Sequence, residues 1–128
     1  MENKPSILYV DDEEINLRLF KLTFRRDFNI ITAASAEEGM HILETQKIDV
    51  VVTDQRMPEI TGVEFLKKIN DKFPDIPPNR LMVSGYAHDD DIEEAFQNYR
   101  LYKFVQKPWN AENLKKIIIE SIHDNYGK

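Results

Sequence analysis

The chain is 128 residues long, 41% hydrophobic and 31% charged, with a formal net charge of −6; this fits one globular domain, residues 1–128, able to bury a core without disulfide or metal staples. Cysteine is absent, which excludes a disulfide scaffold, a thiolate metal site and a thiol nucleophile, and permits a reducing compartment. The acidic balance and scattered Lys and Arg speak against direct nucleic-acid binding. The leading Met1-Glu2-Asn3-Lys4-Pro5 has no apolar signal core, and aliphatic runs no longer than Ile117-Ile118-Ile119 cannot cross a membrane; a soluble, cytoplasmic protein is the expectation.

Ile7-Leu8-Tyr9-Val10 is a continuous apolar run closed by Asp11-Asp12-Glu13-Glu14, which reads as a strand followed by an acidic helix start. In that first helix Ile15, Leu19 and Leu22 recur at helical spacing, with Phe20 and Phe24 on a second line, so a broad buried face is expected up to Arg25-Arg26. Phe28 to Ala33 reads as the second strand. Ser35-Ala36-Glu37-Glu38 reads as a capping box, and the helix it opens runs to about Glu44 with Ala36, Met40 and Leu43 inward. Gly39 within it is weak by propensity and is best explained by close packing.

Val50-Val51-Val52-Thr53 is a buried strand ending at Asp54, and Pro58 bars helix continuation in the loop that follows. Thr61-Gly62-Val63-Glu64 is a second capping box, continued by Phe65, Leu66 and Ile69 on one face. Phe73-Pro74-Asp75-Ile76-Pro77-Pro78 ends that helix in a stiff loop. Arg80-Leu81-Met82-Val83 is a fourth strand ending at Ser84-Gly85-Tyr86, and a helix with Ile92, Ala95 and Phe96 inward starts near Asp89. Tyr102 to Val105 is the fifth strand. Beyond Lys107-Pro108-Trp109, Asn110 caps a last helix whose inward stripe is Leu114, Ile117, Ile118 and Ile122.

Five strands alternating with five helices, several strands apolar throughout, describe a doubly wound α/β domain with a parallel sheet. Ligands in such folds bind beyond the carboxyl ends of the strands. Asp11 and Asp12 follow strand 1, Asp54 strand 3, Ser84 strand 4 and Lys107 strand 5. Taken singly these have ordinary readings: Asp12 as a helix N-cap, Asp54 as a turn former, Ser84 and Lys107 as loop residues. Their joint occurrence at four strand ends favours one crevice. His41, His88 and His123 match no metal spacing and read as surface or helix-flank residues.

Three gathered carboxylates repel unless a cation joins them. Oxygen-only ligands suit Mg²⁺, which with Lys107 would balance the charge. Such a site fits phosphoryl transfer, with Asp54 as nucleophile forming an acyl phosphate, Lys107 pairing with one phosphoryl oxygen and the Ser84 hydroxyl donating to another.

These residues, Asp11-Asp12, Asp54 with Met57-Pro58, Ser84 and Lys107-Pro108, make the chain resemble the receiver domain of two-component response regulators over nearly its whole length. The resemblance implies a flavodoxin-like (βα)5 sheet ordered 2-1-3-4-5 and phosphorylation of Asp54 by a sensor histidine kinase or phosphotransfer protein. It further implies Mg²⁺ held by Asp12, Asp54 and the Arg56 carbonyl, with Asp11 acting through water. Phe104 matches the family's switch aromatic, coupled to Ser84, and the face of helix 4, strand 5 and helix 5 is where an output domain or a second copy would be addressed. Arg56 and Tyr86 stand at the family's lifetime-tuning positions, where their bulk is expected to slow dephosphorylation; the alternative is that both face solvent. Two other readings exist: a receiver-like docking module that is never phosphorylated, and a haloacid-dehalogenase-type phosphohydrolase, which wants a second Asp where Arg56 stands. Trp109 reads as a partly packed anchor.

Overall fold

The computed structural model describes residues 4–75, 79–85 and 90–126. Strands and helices alternate as β1 (Ser6–Val10), α1 (Glu14–Phe24), β2 (Asn29–Ala33), α2 (Ala36–Thr45), β3 (Val50–Asp54), α3 (Gly62–Lys72), β4 (Asn79–Ser84), α4 (Asp90–Asn98), β5 (Leu101–Gln106) and α5 (Ala111–Tyr126). The five strands form one parallel sheet in the order β2-β1-β3-β4-β5. The alternating pattern predicts the doubly wound parallel α/β domain, and the strand order is the flavodoxin-like one that the resemblance to receiver domains implies. No described helix is long and apolar enough to cross a membrane.

Strand periodicity divides the core in two, because successive side chains point to opposite sheet faces. Leu8, Val10, Val51 and Met82 pack with α2, α3 and α4. Ile7, Tyr9, Val50, Val52, Leu81 and Val83 pack with α1 and α5. All five residues of β3 are buried, and its end is held by the sheet: β1 pairs with β3 as far as Thr53, and β4 pairs with it through Asp54 itself.

The broad inward face expected for α1 is in fact narrow. Phe20 and Phe24 are buried, while Ile15, Leu19 and Leu22 are exposed, Ile15 to 78%. The aromatic line wins because its partners are aromatic: Tyr9 stacks on Phe20 with centroids 4.1 Å apart, and Trp109 lies 6.0 Å from Phe20 and 5.5 Å from Phe24. Trp109 is therefore a packed anchor. In α4, Ile92 and Ala95 are buried as expected, but Phe96 is exposed; the helix is covered on one side only, and Phe96 falls just off that stripe. Asp89 lies outside the described residues.

The expected caps hold, with one change. Thr61 and Glu64 form a complete capping box. Ser35 accepts from the Glu38 N–H, but the Glu38 carboxylate reaches back to the Ala34 N–H in place of the Ser35 N–H. Asn110 accepts from the Asn113 N–H and caps α5. A Cβ on Gly39 would sit 3.0 Å from the Phe65 ring and 3.2 Å from Val10, so packing does explain that glycine. Phe28 is buried but precedes β2.

Candidate functional site

Four strand ends meet at one edge of the sheet. Asp11, just past β1, is wholly buried. Its Oδ1 accepts the Glu13 N–H at 2.9 Å, and its Oδ2 accepts the Tyr9 hydroxyl at 2.8 Å. The first of these bonds serves the start of α1: Glu13 occupies the N-cap position without a side-chain cap bond, and Asp12, a cap candidate by sequence, leaves that position to it. Asp12 is exposed toward the crevice.

Asp54 is 7% exposed. Its Oδ1 accepts the Gln55 N–H at 2.8 Å, and its Oδ2 lies 3.5 Å from the Lys107 ammonium. The same ammonium is 3.4 Å from Asp11 Oδ2. Lys107 is thus shared between two carboxylates, and its own N–H donates to the Ser84 carbonyl, tying the end of β5 to the end of β4. The Lys107-Pro108 peptide bond is cis. Carboxylate oxygens of Asp11, Asp12 and Asp54 lie within 4.8 Å of one another.

Burial, opposed by Lys107 and assisted by the neighbouring charge of Asp11, holds the Asp54 carboxyl above its ordinary range. Burial and then Asp11 push the Tyr9 phenol upward, so Tyr9 stays a neutral donor. An acidic pocket with one shared lysine has room for more positive charge. Its clustered carboxylate oxygens are the donor set that a hard divalent cation prefers.

The backbone behind Asp54 is braced by α3. The Gly62 N–H donates to the Gln55 carbonyl, and the Val63 N–H to the Gln55 side chain. A Cβ on Gly62 would lie 2.3 Å from the Asp54 carbonyl oxygen. Only glycine lets α3 start this close.

An open crevice of about 590 Å³ lies over these groups, lined by Asp12, Glu13, Asp54, Arg56, Ser84, Gly85 and Lys107. Arg56 is exposed at its rim and Ser84 is buried in its wall. Phe104 is half-buried in β5 against the α2-α3-α4 side of the core. Tyr86 and His88 lie outside the described residues. Sequence reading missed Tyr9, taken as one more apolar strand residue; the signal was there, since residues two apart in a strand share a face and Asp11 is two beyond.

The family model described as "Response regulator receiver domain" matches residues 7–119. The chain is similar to the chemotaxis protein CheY of Pseudomonas aeruginosa, 33% identical over an alignment of 117 residues, with 88% of this chain and 91% of that one covered. It is also similar to the hydrogenase transcriptional regulatory protein HoxA of Cupriavidus necator, 32% identical over 121 residues. That alignment takes in 94% of this chain but 25% of HoxA, so the chain spans about a quarter of such longer relatives. Among solved structures, the response regulator protein TrrA of Thermotoga maritima, in complex with Mg²⁺ and BeF, superposes with a TM-score of 0.79 at 26% identity, covering 91% of this chain and 97% of that one.

Proposed function

Because the chain belongs to the response regulator receiver domain family, we propose that Asp54 is its phosphoacceptor, taking a phosphoryl group from a phosphohistidine of a sensor histidine kinase or phosphotransfer protein. The observation that carries this reading is the fixing of Asp54 at the end of a fully buried strand. One of its oxygens is held by the Gln55 N–H and the other is left to Lys107. That second oxygen attacks phosphorus; the P–N bond of the donor breaks, the imidazole leaves, and an acyl phosphate remains on Asp54.

Lys107 then follows the charge, leaving its position between two carboxylates to pair with a phosphoryl oxygen, and the Ser84 hydroxyl donates to another. Asp11, Asp12, Asp54 and the Arg56 carbonyl would hold Mg²⁺, which when bound neutralises the oxygens of the group in transfer. Asp11, buried and already bonded to Tyr9 and Glu13, acts through water. The chain promotes only its own phosphorylation and dephosphorylation. Arg56 at the crevice rim, with Tyr86, restricts the attacking water and lengthens the life of the acyl phosphate.

The new dianion biases a two-state element. Movement of Ser84 toward the phosphoryl group frees space for the Phe104 ring, and the face of α4, β5 and α5 changes shape for an output domain or a second copy. Residues 1–128 act in this as one domain.

Acetyl phosphate with Mg²⁺, followed by intact-mass spectrometry, tests the reading. A single phosphoryl adduct that is lost in Asp54→Asn is expected. Rapid multiple turnover of phosphoesters would point to a phosphohydrolase instead, and no adduct at all would point to a docking module; either outcome overturns the proposal.

A further inference from the structure

We infer that Tyr9 is a positioning residue for the divalent-cation site: its hydroxyl holds Asp11 in place and keeps Lys107 from closing onto it. The inference rests on the phosphoacceptor reading above and adds to it a residue that makes no contact with the phosphoryl group.

Asp11 Oδ2 receives the Tyr9 hydroxyl at 2.8 Å and the Lys107 ammonium at 3.4 Å. The first is an ordinary hydrogen bond between oxygens; the second is long for an ammonium and a carboxylate. Lys107 stands almost equally far, 3.5 Å, from Asp54 Oδ2. An ammonium between two anions collapses onto whichever is less satisfied, and a wholly buried carboxylate attracts it strongly. The phenol answers part of the demand of Asp11, so the lysine stays between the two.

The phenol is itself held. Tyr9 is 1% exposed, paired in β1 with β2 and β3, and its ring lies flat on Phe20 at an interplanar angle of 3°. Phenylalanine at this position would fill the same space and keep the same stacking. The hydroxyl therefore adds nothing to the packing that the ring does not, and among the described residues it donates to a carboxylate of the acidic cluster. Without it Lys107, already a long donor to Oδ2, shortens its contact there and competes with the incoming cation for the same charge. Groups that orient a metal ligand in this way commonly contribute tenfold or more to affinity.

Calorimetric titration of Mg²⁺ into wild type and Tyr9→Phe decides the matter, with thermal melting in metal-free buffer and the rate of adduct formation from acetyl phosphate read on the same samples. The expected result is about tenfold weaker Mg²⁺ binding in Tyr9→Phe, with the phosphorylation rate recovering at saturating Mg²⁺. Equal affinity in the two proteins would overturn the inference, as would a rate that stays low at saturation. Wild type that neither binds Mg²⁺ nor forms the adduct would instead sink the phosphoacceptor reading. Should Tyr9→Phe not fold, NMR of wild type labelled at the Tyr9 ring carries the test: its signals should move with the Mg²⁺ titration midpoint, and signals that do not move overturn the inference.

Discussion

Asp54 sits between opposed influences. Burial and Asp11 favour its protonated form, and Lys107 and the Gln55 N–H favour the carboxylate, with the first pair dominant. A carboxyl raised above its unfolded value stabilises the fold below the unfolded pKa, and that contribution is lost as pH rises through the folded pKa. At neutral pH the ionised side chain is therefore a burden on the fold. Asp54→Asn should raise the melting temperature in metal-free buffer at pH 7 by about 2–5 °C, and the gain should shrink as the buffer is acidified through the carboxylate range. Melting curves across that range check this; a lower melting temperature for Asp54→Asn at pH 7 would contradict it. The double variant Arg56→Ala, Tyr86→Ala should lose its phosphoryl group faster than wild type, which the decay of the adduct by mass spectrometry measures.

Strands and helices show why some of this was legible beforehand and some was not. Buried parallel strands announce themselves as apolar runs, and every strand is legible to within a residue or two; strand-end Asp11, Asp54, Ser84 and Lys107 then follow from topology. Helix α1 was not fully legible, because its sequence offers two apolar lines and periodicity cannot choose between them. The choice is made by Tyr9 and Trp109, distant in sequence, the first stacked on Phe20 and the second edge-on to it. Arg80 was equally opaque: it is wholly buried in β4, and its guanidinium donates to the carbonyls of Phe73, Pro74 and Tyr99 and to Asn70. Backbone acceptors leave no mark in a sequence. Two substitutions test this division of α1 by urea unfolding. Phe20→Ala should cost about 3–5 kcal/mol, whereas Leu22→Ser should stay within about 0.5 kcal/mol. Gly62→Ala, whose Cβ would meet the Asp54 carbonyl, should destabilise by about 1–3 kcal/mol and slow phosphorylation as well, since α3 can yield only by moving the backbone that carries the acceptor.

For the molecule as a whole, a net charge of −6 with three carboxylates gathered at one end of the sheet would tie stability to any divalent cation bound there. Magnesium at a hundredfold over its dissociation constant should stabilise the fold by about 2.7 kcal/mol, seen as a higher melting temperature in wild type and largely lost in Asp12→Asn. The fold supplies the placement: a parallel sheet brings four strand ends together between two core layers, with Phe104 half-buried in β5. The most direct test of the central claim is to phosphorylate the protein with acetyl phosphate and Mg²⁺, reduce it with borohydride, and sequence its peptides by tandem mass spectrometry. An acyl phosphate on Asp54 predicts homoserine at position 54 and at no other; homoserine elsewhere, or aspartate still at 54 when the intact protein carries the adduct, would contradict the account.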